Sequence, residues 1–200
     1  MTKADISPSR AALPLLTVCG IEELEGHREA RVGHVLSILD PGHPDPTAFA
    51  DYDPHHRTIL RFHDIIEPVP GMILPRREDM QAIVAFGEEP VTAEGEGHLL
   101  IHCHLGISRS TAAMVTMLTL ARPDETEDAI VARLQAIRPH AWPNARMVGF
   151  ADEILGRGGR LSDAVSRLHA RQLAAKPRLA QIFRDLGRAA EVERALAWAA

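Results

Sequence analysis

Cysteine is scarce in this chain: among 200 residues only Cys19 and Cys103 are present. Two thiols exclude a disulfide framework and suit a reducing compartment, where a thiolate survives. Aromatic residues are also few, at 4 %, whereas the 46 % apolar share is ordinary for a packed domain. No apolar run approaches membrane-spanning length. The opening residues, Met1-Thr2-Lys3-Ala4-Asp5-Ile6-Ser7, lack the basic-then-apolar layout of a signal peptide, so a cytoplasmic location is expected. Positive charge is in deficit, with a net charge of −5 and a pI near 6.1, which argues against a general nucleic-acid binder. The length suits one well-packed α/β domain with room for an appendage.

Residues 1–12 read as a loose arm. Leu15-Leu16-Thr17-Val18, Val35-Leu36-Ser37-Ile38-Leu39 and Thr58-Ile59-Leu60-Arg61-Phe62 read as strands. A helix is expected from near Pro75 through Met80, Ile83, Val84 and Phe86, and the Gly- and Glu-rich run from Gly87 to Gly97 returns the chain to a fourth strand, Leu99-Leu100-Ile101, ending at His102. Beyond it helices follow one another. The first stops at Arg122-Pro123. The second starts on a capping box of Asp124 and Glu127 and carries Ile130, Leu134 and Ile137. The third is capped by Asn144 and closes at Gly156-Arg157-Gly158-Gly159. Strands alternating with helices, then a helical tail, give an α/β fold with a central, mainly parallel sheet and helices on both faces, plus an α-helical C-terminal extension over 157–200.

The densest chemical signal is the nonapeptide His102-Cys103-His104-Leu105-Gly106-Ile107-Ser108-Arg109-Ser110, which leads into the apolar run Thr111–Leu118. Cys103 therefore sits on a strand-to-helix turn, at the carboxyl end of a parallel strand where open α/β sheets bind ligands. Backbone N–H groups and the helix dipole make such a turn an anion site and favour the thiolate. Arg109 can curl back over the same loop and offer a planar fork to an oxyanion.

The Cys-x5-Arg-Ser arrangement, with His102 before it and Gly106 within it, resembles the signature of cysteine-based phosphatases: the protein tyrosine and dual-specificity phosphatase superfamily, and within it a group of bacterial predicted tyrosine phosphatases. Arg138-Pro139-His140-Ala141-Trp142-Pro143-Asn144 resembles that family's segment in which Pro-Asn opens a helix beside the catalytic loop. The likeness spans about residues 13–156, the expected catalytic domain. It implies Cys103 as nucleophile, with Arg109 and the backbone of His104, Leu105, Gly106, Ile107 and Ser108 as the phosphate cradle. Ser110 is then the hydrogen-bond donor to the leaving thiolate, and His102 and Asn144 are supports. The family's acid is an aspartate from a loop after an upstream strand. Asp64 fits best, although 39 positions separate it from Cys103, more than in the compact members. Asp79, Glu78 and Glu67 are its rivals.

Eleven histidines invite a metal reading. Adjacent strand residues point to opposite faces, however, so His102 and Cys103 do not share an ion, and no metal or cofactor is expected. Cys19 reads as core, with a redox role beside Cys103 left open. The cradle contains no lysine, which favours phosphotyrosine on a protein, alone or with phosphoserine and phosphothreonine, over a polyphosphorylated inositide. Alternatives are a phosphate-recognising binding module of the same fold and a thiol-based sulfur or arsenate enzyme. From Arg157 onward nine basic residues face four acids. The expectation is two solvated amphipathic helices packing on the domain or on a second copy, with a membrane-surface or acidic-partner contact as the alternative.

Overall fold

Four strands, β1 (Leu15–Cys19), β2 (Val32–Leu39), β3 (His56–Arg61) and β4 (His98–His102), pair in parallel in the order β1-β4-β2-β3. The structure is a computed structural model that describes residues 15–88 and 98–199; the expected arm over 1–12 and the Gly87–Gly97 return from residue 89 onward lie outside the described residues. All of β4 is buried. A central parallel strand has no solvent face, and its middle is accordingly an apolar run, Leu99-Leu100-Ile101, rather than an alternation. His102 lies opposite Cys19 of β1 and Ser37 of β2, so three chain segments leave the carboxyl edge of the sheet side by side around residue 103.

Strand alternation divides the core. Val18, Leu36, Ile38, Leu99 and Ile101 face a helical layer, whereas Cys19, Val35 and Leu100 face the opposite side. The helical layer is made by α1 (Arg77–Glu88), α2 (Arg109–Ala121), α3 (Glu127–Ile137), α4 (Ala145–Ile154) and α5 (Arg160–Ala175). Helix α2 is buried from Arg109 to Thr119, and its threonines stay satisfied inside the core: Thr116 and Thr119 each donate to the carbonyl four residues back, at 2.8 Å. The opposite face is covered by two 3-10 segments, Ile21–His27 and Thr47–Asp51, through Leu24, Phe49 and Tyr52. Helices on both faces are thus realised as α-helices on one side only, because the Pro- and His-rich link between β2 and β3 supports no more than a short turn.

Two local expectations need correction. Helix α3 is capped by Thr126, whose Oγ1 accepts from the Ala129 amide at 3.3 Å, and not by a box of Asp124 and Glu127. Glu127 lies inside the first turn, where its carboxylate accepts from Arg160 Nε at 3.1 Å. The tail forms three helices instead of two, α5, α6 (Leu179–Asp185) and α7 (Ala189–Ala199), and it packs on the domain. Leu161, Ala164, Val165 and Leu168 of α5 belong to the main core. Asp152 of α4 is buried and accepts from the Gly159 and Ser162 amides at 2.6 and 3.0 Å, capping α5 from outside its own sequence.

Asn144 has the expected capping role: its Oδ1 accepts from the Arg146 and Met147 amides at 3.1 and 3.2 Å. The same amide donates through Nδ2 to Asp64 Oδ1 at 2.9 Å, so one side chain starts α4 and holds the loop after β3. Asn144→Ala is expected to cost about 1–3 kcal/mol, a cap plus an orphaned carboxylate partner, as measured by urea denaturation.

His102 ties the sheet internally, its Nε2 lying 2.7 Å from Ser37 Oγ. Burial drives its pKa down from 6.5 to about 4. The imidazole is therefore neutral in the fold while the unfolded chain protonates below pH 6.5. This contribution to stability is complete above pH 6.5 and shrinks as pH falls towards 4, at about 1.4 kcal/mol per pH unit for one proton. Denaturation curves across pH 4–7 are expected to show a shallower acid loss for His102→Gln. The parallel contribution of His169, likewise depressed by burial, is retained.

Candidate active site

Between β4 and α2 the chain makes a tight turn whose carbonyl groups are bound from outside, one after another. His104 O accepts from the Ile21 amide at 2.9 Å, and Ile107 O accepts from the Trp142 amide at 2.8 Å. Arg138 spans two more, donating from Nη2 to Leu105 O and from Nε to Gly106 O, both at 3.0 Å. Ser108 O accepts from the Ala112 amide at 2.9 Å, as helix α2 begins. A trans peptide points its N–H opposite to its C=O. The amides of Leu105, Gly106, Ile107, Ser108 and Arg109 are thereby turned into the loop, a concave row of donors at a helix N-terminus. Gly106 is required twice over. Its φ is +67°, and a Cβ there would stand 2.4 Å from the Cys19 backbone carbon.

Cys103 is buried at the floor of this turn, with Sγ 3.2 Å from Ser110 Oγ in the first turn of α2. Arg109 is 3 % exposed, and its Nη1 is fixed by Asp40 Oδ1 at 2.5 Å and by Phe62 O at 2.6 Å. Its Nε is buried with no hydrogen-bond partner among the described residues. A guanidinium held by one nitrogen with another donor unspent is set up for an oxyanion. His104 Nε2 accepts from the Asp40 amide at 3.1 Å, fixing the imidazole at the rim, and Leu105 projects outwards at 70 % exposure.

Asp64, just past β3, reaches the same cavity of about 770 Å³ as Cys103, Ser108 and Arg109. Its Oδ1 accepts from Ser108 Oγ at 2.7 Å and from Asn144 Nδ2 at 2.9 Å, and Arg188 Nη1 stands 3.4 Å from each oxygen. Burial pushes its carboxyl up, but Arg188 and Arg109 and these two hydrogen bonds outweigh burial and leave the pKa below the ordinary carboxylate value. The rivals stand elsewhere. Glu67 and Glu78 are exposed, and Asp79 accepts from the Arg76 amide at 2.8 Å as the opening turn of α1 forms. Cys19 is buried under the turn. Burial, chiefly, lifts its thiol to about 12, so it stays protonated and is a poor partner for redox exchange.

Several residues of the site went unassigned in the sequence. Arg138 is clamped bidentately by Glu23, both contacts at 2.9 Å, and Glu23 also accepts from the Gly20 amide at 2.6 Å. Arg188, between α6 and α7, is 2 % exposed and donates to Ser108 Oγ at 2.8 Å. Buried Glu191 neutralises it, accepting at 2.7 and 2.8 Å, and also accepts from Trp142 Nε1 at 2.7 Å. Trp142 is sandwiched between His169 and Phe183 with ring centroids 4.0 Å away on each side. The i, i+3 spacing of Arg188 and Glu191 was the one available signal, and eight other tail cations obscured it.

Among the described residues, no three His, Cys, Asp or Glu side chains gather as a metal site, and no helix is long and apolar enough to cross a membrane. No family model matches the chain, and no curated sequence does. Solved structures do. Human DUSP28 aligns with a TM-score of 0.53 and 15 % identity, covering 71 % of this chain and 92 % of that one. A mouse putative dual specificity phosphatase complexed with zinc tungstate aligns with a TM-score of 0.53 and 17 % identity, over 80 % and 98 % of the two chains. Human tyrosine phosphatase-like serine/threonine/tyrosine-interacting protein gives 0.51 and 19 %, over 70 % and 87 %. The four-stranded parallel sheet, the turn around Cys103 and these alignments together identify the architecture: this chain has the fold of the protein tyrosine and dual-specificity phosphatase superfamily.

Proposed function

We propose that the protein is a cysteine-dependent phosphate monoester hydrolase acting through a cysteinyl-phosphate, with phosphotyrosine-type esters as substrates. The observation that carries this reading is the state of Arg109: buried, held at Nη1 by Asp40 and Phe62 O, with Nε unspent, on the cavity that Cys103 also lines. The Cys103 thiolate attacks phosphorus, so an S–P bond forms as the P–O bond breaks, and Asp64 gives its proton to the departing oxygen. Arg109 and the amides of the turn hold the equatorial oxygens. Water then attacks phosphorus, Asp64 takes its proton, and the S–P bond breaks with Ser110 donating to the returning thiolate. The products are an alcohol or phenol and inorganic phosphate. Cys103→Ser is expected to lower turnover of an aryl phosphate by at least about a thousandfold, since a serine hydroxyl lacks the thiolate's nucleophilicity. Vanadate is expected to inhibit, and sulfur transfer to be absent. A Cys103→Ser protein as active as wild type overturns the reading.

Asp64 gives the pH dependence its sign. An acid must act protonated, and the cations around this carboxyl hold its pKa below the ordinary value. For an ester with a poorly acidic leaving group, kcat/KM is therefore expected to be highest in mild acid and to fall as pH rises. Asp64→Asn should flatten that limb and cost about 10²–10⁴-fold, with a smaller loss for a nitrophenyl ester, whose leaving group needs no proton. An unchanged pH profile in Asp64→Asn removes Asp64 from the mechanism.

The same ion pair favours a second reading. Asp64 is engaged by Arg188, Ser108 and Asn144 in a way that suits a phosphate-recognising binding module as well as an enzyme held in check. Phosphopeptide binding without turnover, unchanged between wild type and Cys103→Ser, is the outcome that selects it.

A further inference from the structure

Beyond the phosphate cradle the cavity widens between two apolar walls. Ile65, Val69 and Met72, on the loop after β3, form one wall; Leu179, Ile182 and Leu186, from α6 and the turn after it, form the other. Val69, Met72, Ile182 and Leu186 are all more than a third exposed. Exposed apolar side chains scattered singly need no explanation, but here they gather on both sides of one opening whose floor holds Cys103 and Arg109. At about 770 Å³ the cavity is far roomier than a phosphate group requires and lies within the range of small-molecule sites.

The walls define the chemistry of the occupant. A peptide laid along them would bring an N–H and a C=O per residue, each needing a partner once buried, and these six side chains present hydrocarbon instead, with His140, Lys176 and Asp185 elsewhere in the lining. Arg188 is already neutralised by Glu191 and Asp64, which leaves it suited to fixing a wall rather than binding a second phosphate, and Lys176, the other tail cation of the lining, shares that lining with the acid Asp185. Gln172 at the back is likewise occupied, donating to Pro139 O at 2.7 Å. Continuity with the cradle sets the orientation: phosphate on Arg109 and the inward amides, hydrocarbon between the walls.

We infer that the groove between the β3 loop and α6 is a subsite for the leaving group, and that the substrate is the phosphate monoester of a hydrophobic alcohol or phenol. This rests on the hydrolase reading and narrows it. The tail then supplies a wall that selects the substrate, as well as a brace for Asp64. Ile182 and Leu186 are the selecting residues, since both line the opening and neither touches the reacting atoms.

The test uses the full chain and a series of 4-alkylphenyl phosphates, from methyl to octyl, each below the concentration at which it aggregates. Leaving-group acidity barely changes along this series, so changes in kcat/KM read the groove. The expected result is a rise of about fourfold per added methylene until the groove is filled, the equivalent of ~0.8 kcal/mol for each buried CH₂. Ile182→Asp and Leu186→Glu, at exposed positions where folding tolerates charge, should flatten the series, the loss growing with each added methylene. A flat series in an enzyme active on phenyl phosphate overturns the inference and leaves the hydrolase reading intact, as does a polar-flanked phosphotyrosine peptide turned over more efficiently than the octyl ester. No turnover of any member overturns the hydrolase reading. Binding of 4-octylphenylphosphonate against phenylphosphonate then still reads the groove: tighter binding of the octyl compound supports the subsite, and equal binding overturns it.

Discussion

Everything at this site depends on where five carbonyl oxygens point. A turn that gathers its N–H groups on one side must send its C=O groups to the other, and buried carbonyls need donors. For four of the five those donors come from three distant parts of the chain, the Ile21 amide after β1, the Arg138 guanidinium after α3 and the Trp142 amide before α4, and helix α2 itself serves the fifth through the Ala112 amide. Arg138 is the most demanding, because its fork must be aimed, and Glu23 aims it. The concave row of amides is therefore a property of the surroundings more than of the nonapeptide itself. Gly106 contributes the remaining condition, a backbone free to take a positive φ against the floor formed by Cys19.

A second constraint runs from the tail. Arg188 and Glu191 are buried charges, and a buried pair is retained at a desolvation cost that good geometry must offset. The geometry is good: each guanidinium nitrogen that reaches Glu191 has its own acceptor oxygen, and Trp142 Nε1 and the Ala145 amide supply the carboxylate's remaining partners. What the pair accomplishes is connection. Trp142 hands its backbone N–H to the turn and its indole N–H to Glu191, so one residue joins the anion cradle to the tail. The stacking of that indole between His169 and Phe183 adds a small apolar core separate from the one beneath the sheet.

How much of this could be read from the chain follows from how local each signal is. The turn around Cys103 was legible because strand, cysteine, glycine and arginine lie within a dozen residues. Asn144 was legible as a cap because Pro-Asn before an apolar period is itself local. The parallel sheet followed from strand–helix alternation, although the second face carries only short 3-10 turns. Thr126 takes the place of Asp124 as cap because helix α3 begins later after Pro123 than periodicity resolves. The pairs Arg138–Glu23 and Arg188–Asp64 were illegible. They are charge complementarities across 115 and 124 positions, and nothing in a single sequence distinguishes such an arginine from a solvated one.

Those same separations bear on how the molecule acquires its site. Bringing together residues more than a hundred positions apart costs chain entropy that local contacts do not, so such pairings close late in folding. Arg188 reaches Asp64 across 124 positions and Arg138 reaches Glu23 across 115, so both ion pairs wait on the packing of the helical layer. A partly folded chain therefore holds Cys103 without the concave row of amides around it. Native assembly and the closing of the turn around Cys103 become a single event, so the inward row of amides forms only where a cleft already encloses it.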